Sequence, residues 1–381
     1  MMDDIENAKK FFADNPDIEI LEAFVIDANG VPRGKWIPRE RAIDVLEKGM
    51  AIPRSVYALD IWGRDVHAAG LAEGTGDPDG FCFPVPGTLS RVTWLGRPTA
   101  QVLSISELQD FEDVFHDIAT ACRAQGVLAD TTLRENGPGQ YEINLNHVPD
   151  ALQAADFAVF LKRIVKGVAR RHDLDATFMA KPYGLQAGNG MHVHFSVLDR
   201  DGRNIYAGEN GPSDALMHSV GGLLENMGES MAIFAPHANS YRRLTPSEHA
   251  PTYASWGIDN RSAAVRVIVA SKAATRIEHR VAGADTNPYL VLAMILSAAI
   301  AGMKEKRQPG GAIAGDSHAI NHEPLPTNWD YALQRFTRSS FAYATLGQKY
   351  RTLFSACKQQ ELSEFSLRVT DVEYDAYIRT V

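Results

Sequence analysis

Residues 191–197 alternate between apolar and polar side chains, which is the pattern of a β-strand with one buried face. The apolar set is Met191, Val193, Phe195 and Val197, and the polar set is His192, His194 and Ser196. Gly188 and Gly190 precede this strand and indicate a loop whose backbone approaches other atoms closely. Two histidines on one strand face after such a loop suit a metal or phosphate site. Paired histidines at this spacing are as often satisfied core residues, so both interpretations stay open here.

The remaining pattern predicts both helices and strands. Apolar residues at helical spacing predict helices at residues 1–13, 39–48, 106–125, 151–172, 213–234, 287–306, 329–346 and 357–378. Alternating segments predict strands at 18–26, 32–37, 92–95, 140–146, 191–197, 262–270 and 275–281. Because strands and helices do not alternate regularly, the prediction is an α+β fold. A turn-forming segment at 96–98 divides the chain into a small β-rich domain, 1–98, and a larger domain, 99–381.

Composition narrows the class of protein. The formal net charge of −9 over 381 residues makes nucleic acid or an anionic membrane an unexpected partner. The three cysteines, Cys82, Cys122 and Cys357, show no CxxC spacing, which favours a reducing, cytoplasmic compartment. The apolar run at 289–303 is shorter than a membrane span and follows Asn287-Pro288, a helix-starting pair, so it is predicted to be a buried helix.

Ligand-capable side chains recur on predicted strand faces. They are Glu135 and Glu142, then His192 and His194, then Arg276, Glu278 and Arg280. Carboxylates with a histidine form an oxygen-rich set that suits Mg²⁺ or Mn²⁺. Taken alone, a glutamate between two arginines on one face is equally typical of a surface ion-pair ladder.

Six arginines lie within about forty residues of this acidic chain: Arg242, Arg243, Arg261, Arg266, Arg276 and Arg280. Guanidinium groups bind carboxylates and phosphates with two parallel hydrogen bonds. A solvated basic face is the alternative. The apolar context around Arg266 argues against it, because an unpaired buried charge is costly.

Six motifs occur in a fixed order. They are GPGQYEINL (137–145), ATFMAKP (176–182), GNGMHVHFS (188–196), NSYRRLTP (239–246), DNRSAAVRV (259–267) and RIEHR…NPYL (276–290). With them the chain resembles the glutamine synthetase family from about residue 104 to the C-terminus. The segments SYRRL and ASWGIDNRS are more similar to the corresponding segments of glutamate–amine ligases of γ-glutamyl-polyamine synthetase type than to those of the ammonium enzymes. The implied fold is a small β-grasp-like domain (1–98) and a glutamine synthetase-type catalytic domain (99–381), in which an antiparallel sheet packs with helices.

The resemblance also implies roles for the matching positions. Two Mg²⁺ or Mn²⁺ ions would be held, one by Glu135 and Glu142 and the other by His192 and Glu278. ATP would be bound by His194, Ser196, Arg266 and Arg276, and glutamate by Gly188, Arg243 and Arg280. Arg261 would stabilise the transferred phosphoryl group, and His249 would act as a base on the acceptor. The implied partners are L-glutamate, ATP, an amine and further copies of the chain in a ring-stacked dodecamer.

The chain departs from the family pattern in two places. No Glu-x-Glu strand, which supplies one carboxylate to each ion in the family, precedes Glu135, and residues 97–103 run directly into 104–108. His249 stands where the ammonium enzymes carry a glutamate, which favours an organic amine over ammonium. The expected activity is therefore ATP-dependent joining of the γ-carboxylate of glutamate to an amine or polyamine through γ-glutamyl phosphate. The alternative is a catalytically impaired homologue that binds ligands or serves in regulation or assembly.

Overall fold

The protein divides into two compact units. A computed structural model describes residues 2–26, 32–53, 55–56, 59, 79–85, 87–95, 97–102, 112–135, 137, 139–209, 211–245, 250–317 and 324–381. Unit 1 comprises Met1–Thr177 with Asp259–Arg261 and Ala314–Asp316. Unit 2 comprises Phe178–Ile258, Ser262–Ile313 and Ser317–Val381.

The described elements mix helices and strands throughout the chain. The helices are α1 (Met2–Asp14), α2 (Arg39–Lys48), α3 (Glu112–Ala124), α4 (Ala151–Arg171), α5 (Asp214–Phe234), α6 (Ser240–Arg243), α7 (Pro288–Glu305), α8 (Trp329–Arg338), α9 (Ser340–Ser366) and α10 (Asp371–Tyr377). The strands are β1 (Ile20–Ile26), β2 (Pro32–Pro38), β3 (Met50–Pro53), β4 (Asp79–Cys82), β5 (Ser90–Val92), β6 (Thr99–Val102), β7 (Ala129–Arg134), β8 (Tyr141–Leu145), β9 (Val193–Phe195), β10 (Trp256–Ile258), β11 (Val265–Ile268) and β12 (Arg276–His279).

Unit 1 contains a six-stranded sheet with the order β5-β6-β1-β2-β7-β8 and a separate β3-β4 pair. Alternation along β1 and β2 buries both faces of the large sheet. Leu21 and Ile37 belong to a core cluster with residues of α1 and α2. Trp36 lies on the other face, in a cluster with residues of α3 and α4. Because β2 lies between β1 and β7 in this sheet, the sheet connects the N-terminal segment to the β7–β8 hairpin.

Unit 2 contains a four-stranded sheet, β10-β11-β12-β9, and a helical core. The helices α5 and α7 cross at two glycines that allow their backbones to touch. A Cβ on Gly222 would lie 2.7 Å from the Cα of Gly302, so neither position accepts a side chain without separating the helices. The side chains of Leu223, Met294 and Ile295 fill the surrounding core.

The helix α7 is, by length and composition alone, apolar enough to cross a membrane. Core helices of globular proteins have the same length and apolar composition. The crossing with α5 and the full burial of Val291 and Met294 agree with the buried helix predicted from the sequence.

The predicted α+β fold is confirmed, with differences in detail. One strand pair in each of the two larger sheets is parallel, β1 with β6 and β10 with β11, beside the expected antiparallel pairs. The predicted helix at 329–346 was wrong at its end: the chain breaks at Ser339, whose hydroxyl caps α9. Helix α9 also covers residues 347–356, for which the sequence pattern predicts no element, and it bends at Gly347, where φ is 75°.

Other predicted features lie partly or wholly beyond the described residues. The first part of the predicted helix at 106–125 falls outside them, and α3 covers the remainder. The boundary between units 1 and 2 lies at Thr177, so unit 1 contains the predicted small domain and the first part of the predicted larger one. The division at residue 98 stays a prediction.

Candidate functional site

Glu278 lies at the centre of a polar cluster in unit 2. In the register of the sheet, Glu278 on β12 faces Arg266 on β11 and His194 on β9. The alternation of β12 places Ile277 and His279 in the opposite direction, where both are buried. The faces predicted for β9 and β12 are therefore confirmed. The register also brings together residues that are far apart in sequence.

The Glu278 carboxylate is almost fully buried, with 3% of its side chain exposed. Its Oε1 accepts a hydrogen bond from Arg280 Nη1 at 2.6 Å, and its Oε2 accepts one from Arg266 Nη1 at 3.1 Å. Burial alone would raise the pKa of Glu278, but Arg280 and the neighbouring histidines hold that pKa well below its usual range. The carboxylate is therefore ionised, as a buried charge with two cationic partners can be.

His192 and His194 both lie close to the Glu278 carboxylate. The Nδ1 of His192 lies 3.3 Å from Glu278 Oε1, and the Nε2 of His194 lies 3.7 Å from it. Burial, followed by the charge of Arg280, lowers the pKa of His192, against the opposing effect of Glu278. Burial also lowers the pKa of His194 to about 4, although 42% of its side chain reaches solvent. Both rings are neutral at neutral pH and can offer a lone pair.

Arg243 connects this cluster to the glycine loop. Its side chain is buried and donates to the backbone oxygens of Val281 at 2.8 Å and Arg280 at 3.3 Å. A Cβ on Gly188 would lie 2.8 Å from Arg243 Cγ and from the oxygen of Ala180. A Cβ on Gly190 would lie 2.8 Å from Arg243 Nη2 and 2.9 Å from His192 Nε2. The loop is thus glycine-rich because Arg243 runs against its backbone.

Arg276 completes the cluster at the start of β12. Its Nε donates to His194 Nδ1 at 3.2 Å, and Ser196 is the residue directly after β9. The cluster contains four cationic side chains: Arg266 and Arg280 contact Glu278, Arg276 contacts His194, and Arg243 lies against the glycine loop. Such an excess of guanidinium groups suits phosphates and carboxylates.

The candidate carboxylates of unit 1 lie on the β7–β8 hairpin. Glu142 is paired with Leu133, and Glu135 follows two residues after Leu133. The two glutamates therefore lie on one face of the hairpin as diagonal neighbours. The turn is closed by Gln140, whose side-chain oxygen accepts from Gly137 N, and by Gly139, whose φ is 67°.

The candidate metal ligands can be compared with what a divalent cation requires of its ligands. Coordination needs ionised carboxylates and neutral imidazoles, and Glu278 and His192 are held in those states. These two residues fit as part of a metal shell, as do Glu135 and Glu142 by their chemistry. Across the ranges that the structure describes, no three His, Cys, Asp or Glu side chains form a group that could hold a metal alone.

Two predicted catalytic residues are not part of this cluster as described. Arg261 lies in the segment Asp259–Arg261, which groups with unit 1, where Asn260 donates to Gly315 O at 2.7 Å. His249 lies outside the described residues. Its predicted role stays a prediction.

Sequence reasoning missed the contacts that hold the NSYRRLTP segment. Asn239 exchanges two hydrogen bonds with the backbone of Lys181, at 2.8 and 2.9 Å, and so joins this segment to ATFMAKP. Both residues lie inside motifs quoted above, but neither the partner nor the distance can be read from the pattern.

Comparison with known proteins identifies the class. The sequence profile of the glutamine synthetase catalytic domain matches residues 89–377. The chain belongs to the glutamine synthetase family. Enzymes of this family use ATP and a divalent metal such as Mg²⁺, and the family-level chemistry is ATP-dependent ligation of glutamate to ammonia or an amine.

Its relatives include glutamate–amine ligases, as the resemblance predicted. The chain is 32% identical to the gamma-glutamylputrescine synthetase PuuA of Escherichia coli (strain K12), over 97% of this chain and 94% of that one. It is 34% identical to a glutamate–isopropylamine ligase of Pseudomonas sp, over 70% and 59%. It is also 31% identical to the glutamine synthetase of Pyrococcus horikoshii, over 91% and 90%. Among solved structures, a GmaS/ADP complex matches with a TM-score of 0.66 at 25% identity, covering 99% of this chain and 100% of that one.

The alignment with PuuA extends over 443 positions, whereas 97% of this chain of 381 residues is about 370 residues. About 70 aligned positions therefore have no counterpart in this chain. This chain is therefore shorter than PuuA over the aligned region.

Proposed function

We propose that this protein joins the γ-carboxylate of L-glutamate to a primary amine at the expense of ATP. The observation that carries the proposal is the Glu278 cluster, in which one ionised carboxylate and two neutral imidazoles lie among four arginines. Phosphates and a substrate carboxylate suit that charge, and the amine-ligase relatives indicate the acceptor.

The reaction has two balanced steps. A γ-carboxylate oxygen of glutamate attacks the γ-phosphorus of ATP, and ADP leaves with the electron pair of the broken P–O bond. The amine nitrogen, after losing a proton, attacks the acyl carbon of γ-glutamyl phosphate. Phosphate leaves, and the nitrogen gives up a second proton as the amide forms.

The chain's own residues bind and orient the reactants. Arg266 and Arg276 contact the ATP phosphates, together with His194 and Ser196 at the nucleotide. Arg243 and Arg280 hold a glutamate carboxylate next to Gly188, and Arg261 offsets charge on the phosphoryl group. His249, in place of a glutamate, takes a proton from the amine. Fixed positive groups of this kind act where charge develops in the transition state.

Two divalent ions complete the proposal, one on Glu135 and Glu142 and one on Glu278 and His192. When bound, they offset the negative charge of the phosphoryl oxygens. We place the protein in the cytoplasm, because Cys82, Cys122 and Cys357 form no disulfide, as suits a reducing compartment.

We also propose that the chain assembles with further copies of itself through its C-terminal arm, residues 363–381. Every residue of the arm is exposed, and α10 has no buried residue. Eight large apolar side chains are more than half exposed there: Phe365, Leu367, Val369, Val372, Tyr374, Tyr377, Ile378 and Val381. At ~100 Å² each they offer ~800 Å² per copy, the contribution of one partner to a standard interface. A helix this short is not stable alone in water, which supports a covering partner.

The test is glutamate- and amine-dependent ADP release, measured with putrescine, isopropylamine, other monoamines and ammonium. The proposal expects turnover with at least one organic amine and formation of its γ-glutamyl amide. The alternative, an impaired homologue, is favoured by the absence of a Glu-x-Glu motif in the sequence before Glu135. It expects no turnover with any acceptor and nucleotide binding that is indifferent to Mg²⁺ in calorimetry.

A further inference from the structure

Asp285 carries a carboxylate that the proposed mechanism does not use, and one of its oxygens, Oδ1, is buried. Asp285 belongs to the turn between β12 and α7, and its Oδ2 accepts a hydrogen bond from Ser240 Oγ at 2.6 Å. Ser240 is the first residue of α6 and is 2% exposed. The Ser240 oxygen in turn accepts from the backbone N of His237 at 3.1 Å. Because the hydroxyl proton is given to Asp285, the serine oxygen is oriented to accept from the chain that enters α6.

The same turn holds the other end of α6 through Arg243. Arg243 donates to the backbone oxygens of Arg280 and Val281, as described above. Ser240 and Arg243 are three residues apart, which is ~4.5 Å along a helix. The turn therefore holds α6 at two points. Together with the Asn239–Lys181 hydrogen bonds just before α6, these two points fix the direction of the Arg243 side chain, and losing one of them holds the short helix less firmly.

The turn between β12 and α7 fixes the position of the Asp285 carboxylate. A Cβ on Gly283 would overlap Asp285 Oδ1, so the carboxylate folds back over a glycine. That oxygen is buried, and no described residue donates a hydrogen bond to it. Ala284 N donates to Asn189 O at 3.0 Å and joins the turn to the glycine loop. Burial and the nearby charge of Asp285 also raise the pKa of Tyr241, the residue after Ser240.

We propose that Asp285 is a positioning residue for Arg243, acting through Ser240 to set the orientation of α6. This inference rests on the proposed function, in which Arg243 holds a glutamate carboxylate. Loss of the Asp285 acceptor lets α6 turn and moves the Arg243 guanidinium, which weakens glutamate binding. Nucleotide binding on the β9–β12 side is unchanged, and so is the chemical step once glutamate is saturating.

The experiment compares Asp285→Ala, Asp285→Asn, Ser240→Ala and the double variant D285A/S240A. We expect D285A to raise the KM for glutamate about tenfold, as for loss of a hydrogen bond to a charged group, with kcat changed less than threefold. D285N keeps an acceptor oxygen for Ser240 and restores KM to within threefold of the parent. Because Asp285 and Ser240 act as one unit, the double variant is no worse than D285A. Asp201→Ala, which removes an exposed aspartate bonded to Arg203, is the matched control and leaves KM unchanged.

Hydrogen exchange of the amides at 240–244 supplies a readout independent of turnover, and D285A is expected to accelerate it. An unchanged KM for glutamate and unchanged exchange in D285A, with an active parent, overturn the inference alone. Equal losses in glutamate and ADP affinity also overturn it, because they indicate general disruption. A parent protein that binds no glutamate overturns the proposed function and this inference with it.

Discussion

Arg266 Nη1 and Glu278 Oε2 lie 3.1 Å apart across the β11–β12 pair, and each side chain is no more than 5% exposed. A second guanidinium, from Arg280, contacts the other oxygen of the same carboxylate. Because this single carboxylate is an ion-pair partner of two buried cations, the stability of this sheet depends on Glu278.

Replacement of Glu278 by alanine is expected to destabilise the fold strongly. The substitution removes an ion-pair partner from each of the buried Arg266 and Arg280, a loss of ~3–5 kcal/mol. The free energy of unfolding is measured with urea at pH 7. Glu305→Ala is the matched control, because Glu305 pairs with Arg307 on the surface and contributes ~0–1 kcal/mol. Equal destabilisation by both variants contradicts the ion-pair account.

Replacing glycines in the loop before β9 tests whether the loop needs glycine for its close contact with Arg243 or for its general flexibility. Gly188→Ala and Gly190→Ala introduce a Cβ against Arg243, at 2.8 Å in each case, and are expected to raise the KM for glutamate at least fivefold. Gly184→Ala lies in the same stretch with nothing within 4 Å of its new Cβ, and it is expected to behave like the parent. Steady-state kinetics at saturating ATP compares the three. A Gly184 variant as impaired as the other two would show that loop flexibility, not the Arg243 contact, is what matters.

The buried thiol of Cys122 gives a pH dependence whose sign can be worked out. Burial raises the pKa of Cys122 to about 11, from a usual value of 9.0. As pH rises above 9, the unfolded chain loses this proton while the folded chain keeps it, so stability falls until about pH 11. Between pH 8 and pH 10 the loss from this group is ~1 kcal/mol.

Unfolding free energies at these two pH values are compared for the parent and Cys122→Ala. The variant loses packing at every pH, but its further decline between pH 8 and 10 is expected to be smaller by that amount. Identical declines in the two proteins would exclude the buried thiol as the source.

Deleting residues 367–381 tests the C-terminal arm. The deletion removes seven of the eight exposed apolar side chains and no buried residue, so we expect the folded chain to remain while the assembly becomes smaller. Light scattering after gel filtration gives the mass. Tyr374→Asp with Tyr377→Asp is expected to act like the deletion. Asp371→Asn with Asp375→Asn, on the same helix, is expected to keep the parent mass. A deletion that keeps the parent mass would contradict assembly through the arm.

Local signals in the sequence predicted much of this fold, because helix caps and strand alternation are local. Asn287-Pro288 starts α7 and Gly49 ends α2, as their capping chemistry indicates. The alternation of residues 192–194 and 276–280 placed the candidate side chains on the correct faces. The end of α8 at Ser339 was missed, because a serine cap inside an amphipathic run resembles continued helix.

What the sequence could not supply is register and long-range contact. That Glu278 faces His194 follows from how β12 pairs with β9, which no pattern within either strand determines. The Ser240–Asp285 bond joins residues 45 positions apart, and neither has a distinctive spacing. The family resemblance suggested the roles proposed for the arginines, while the structure supplied their partners.

The most direct measurement is glutamate- and amine-dependent ADP release, with the product identified by mass spectrometry. The account predicts a γ-glutamyl amide of at least one organic amine, formed only with ATP, glutamate and a divalent metal ion, and lost in Glu278→Gln. ADP release that does not depend on glutamate, or no amide with any of the amines tested, would contradict it.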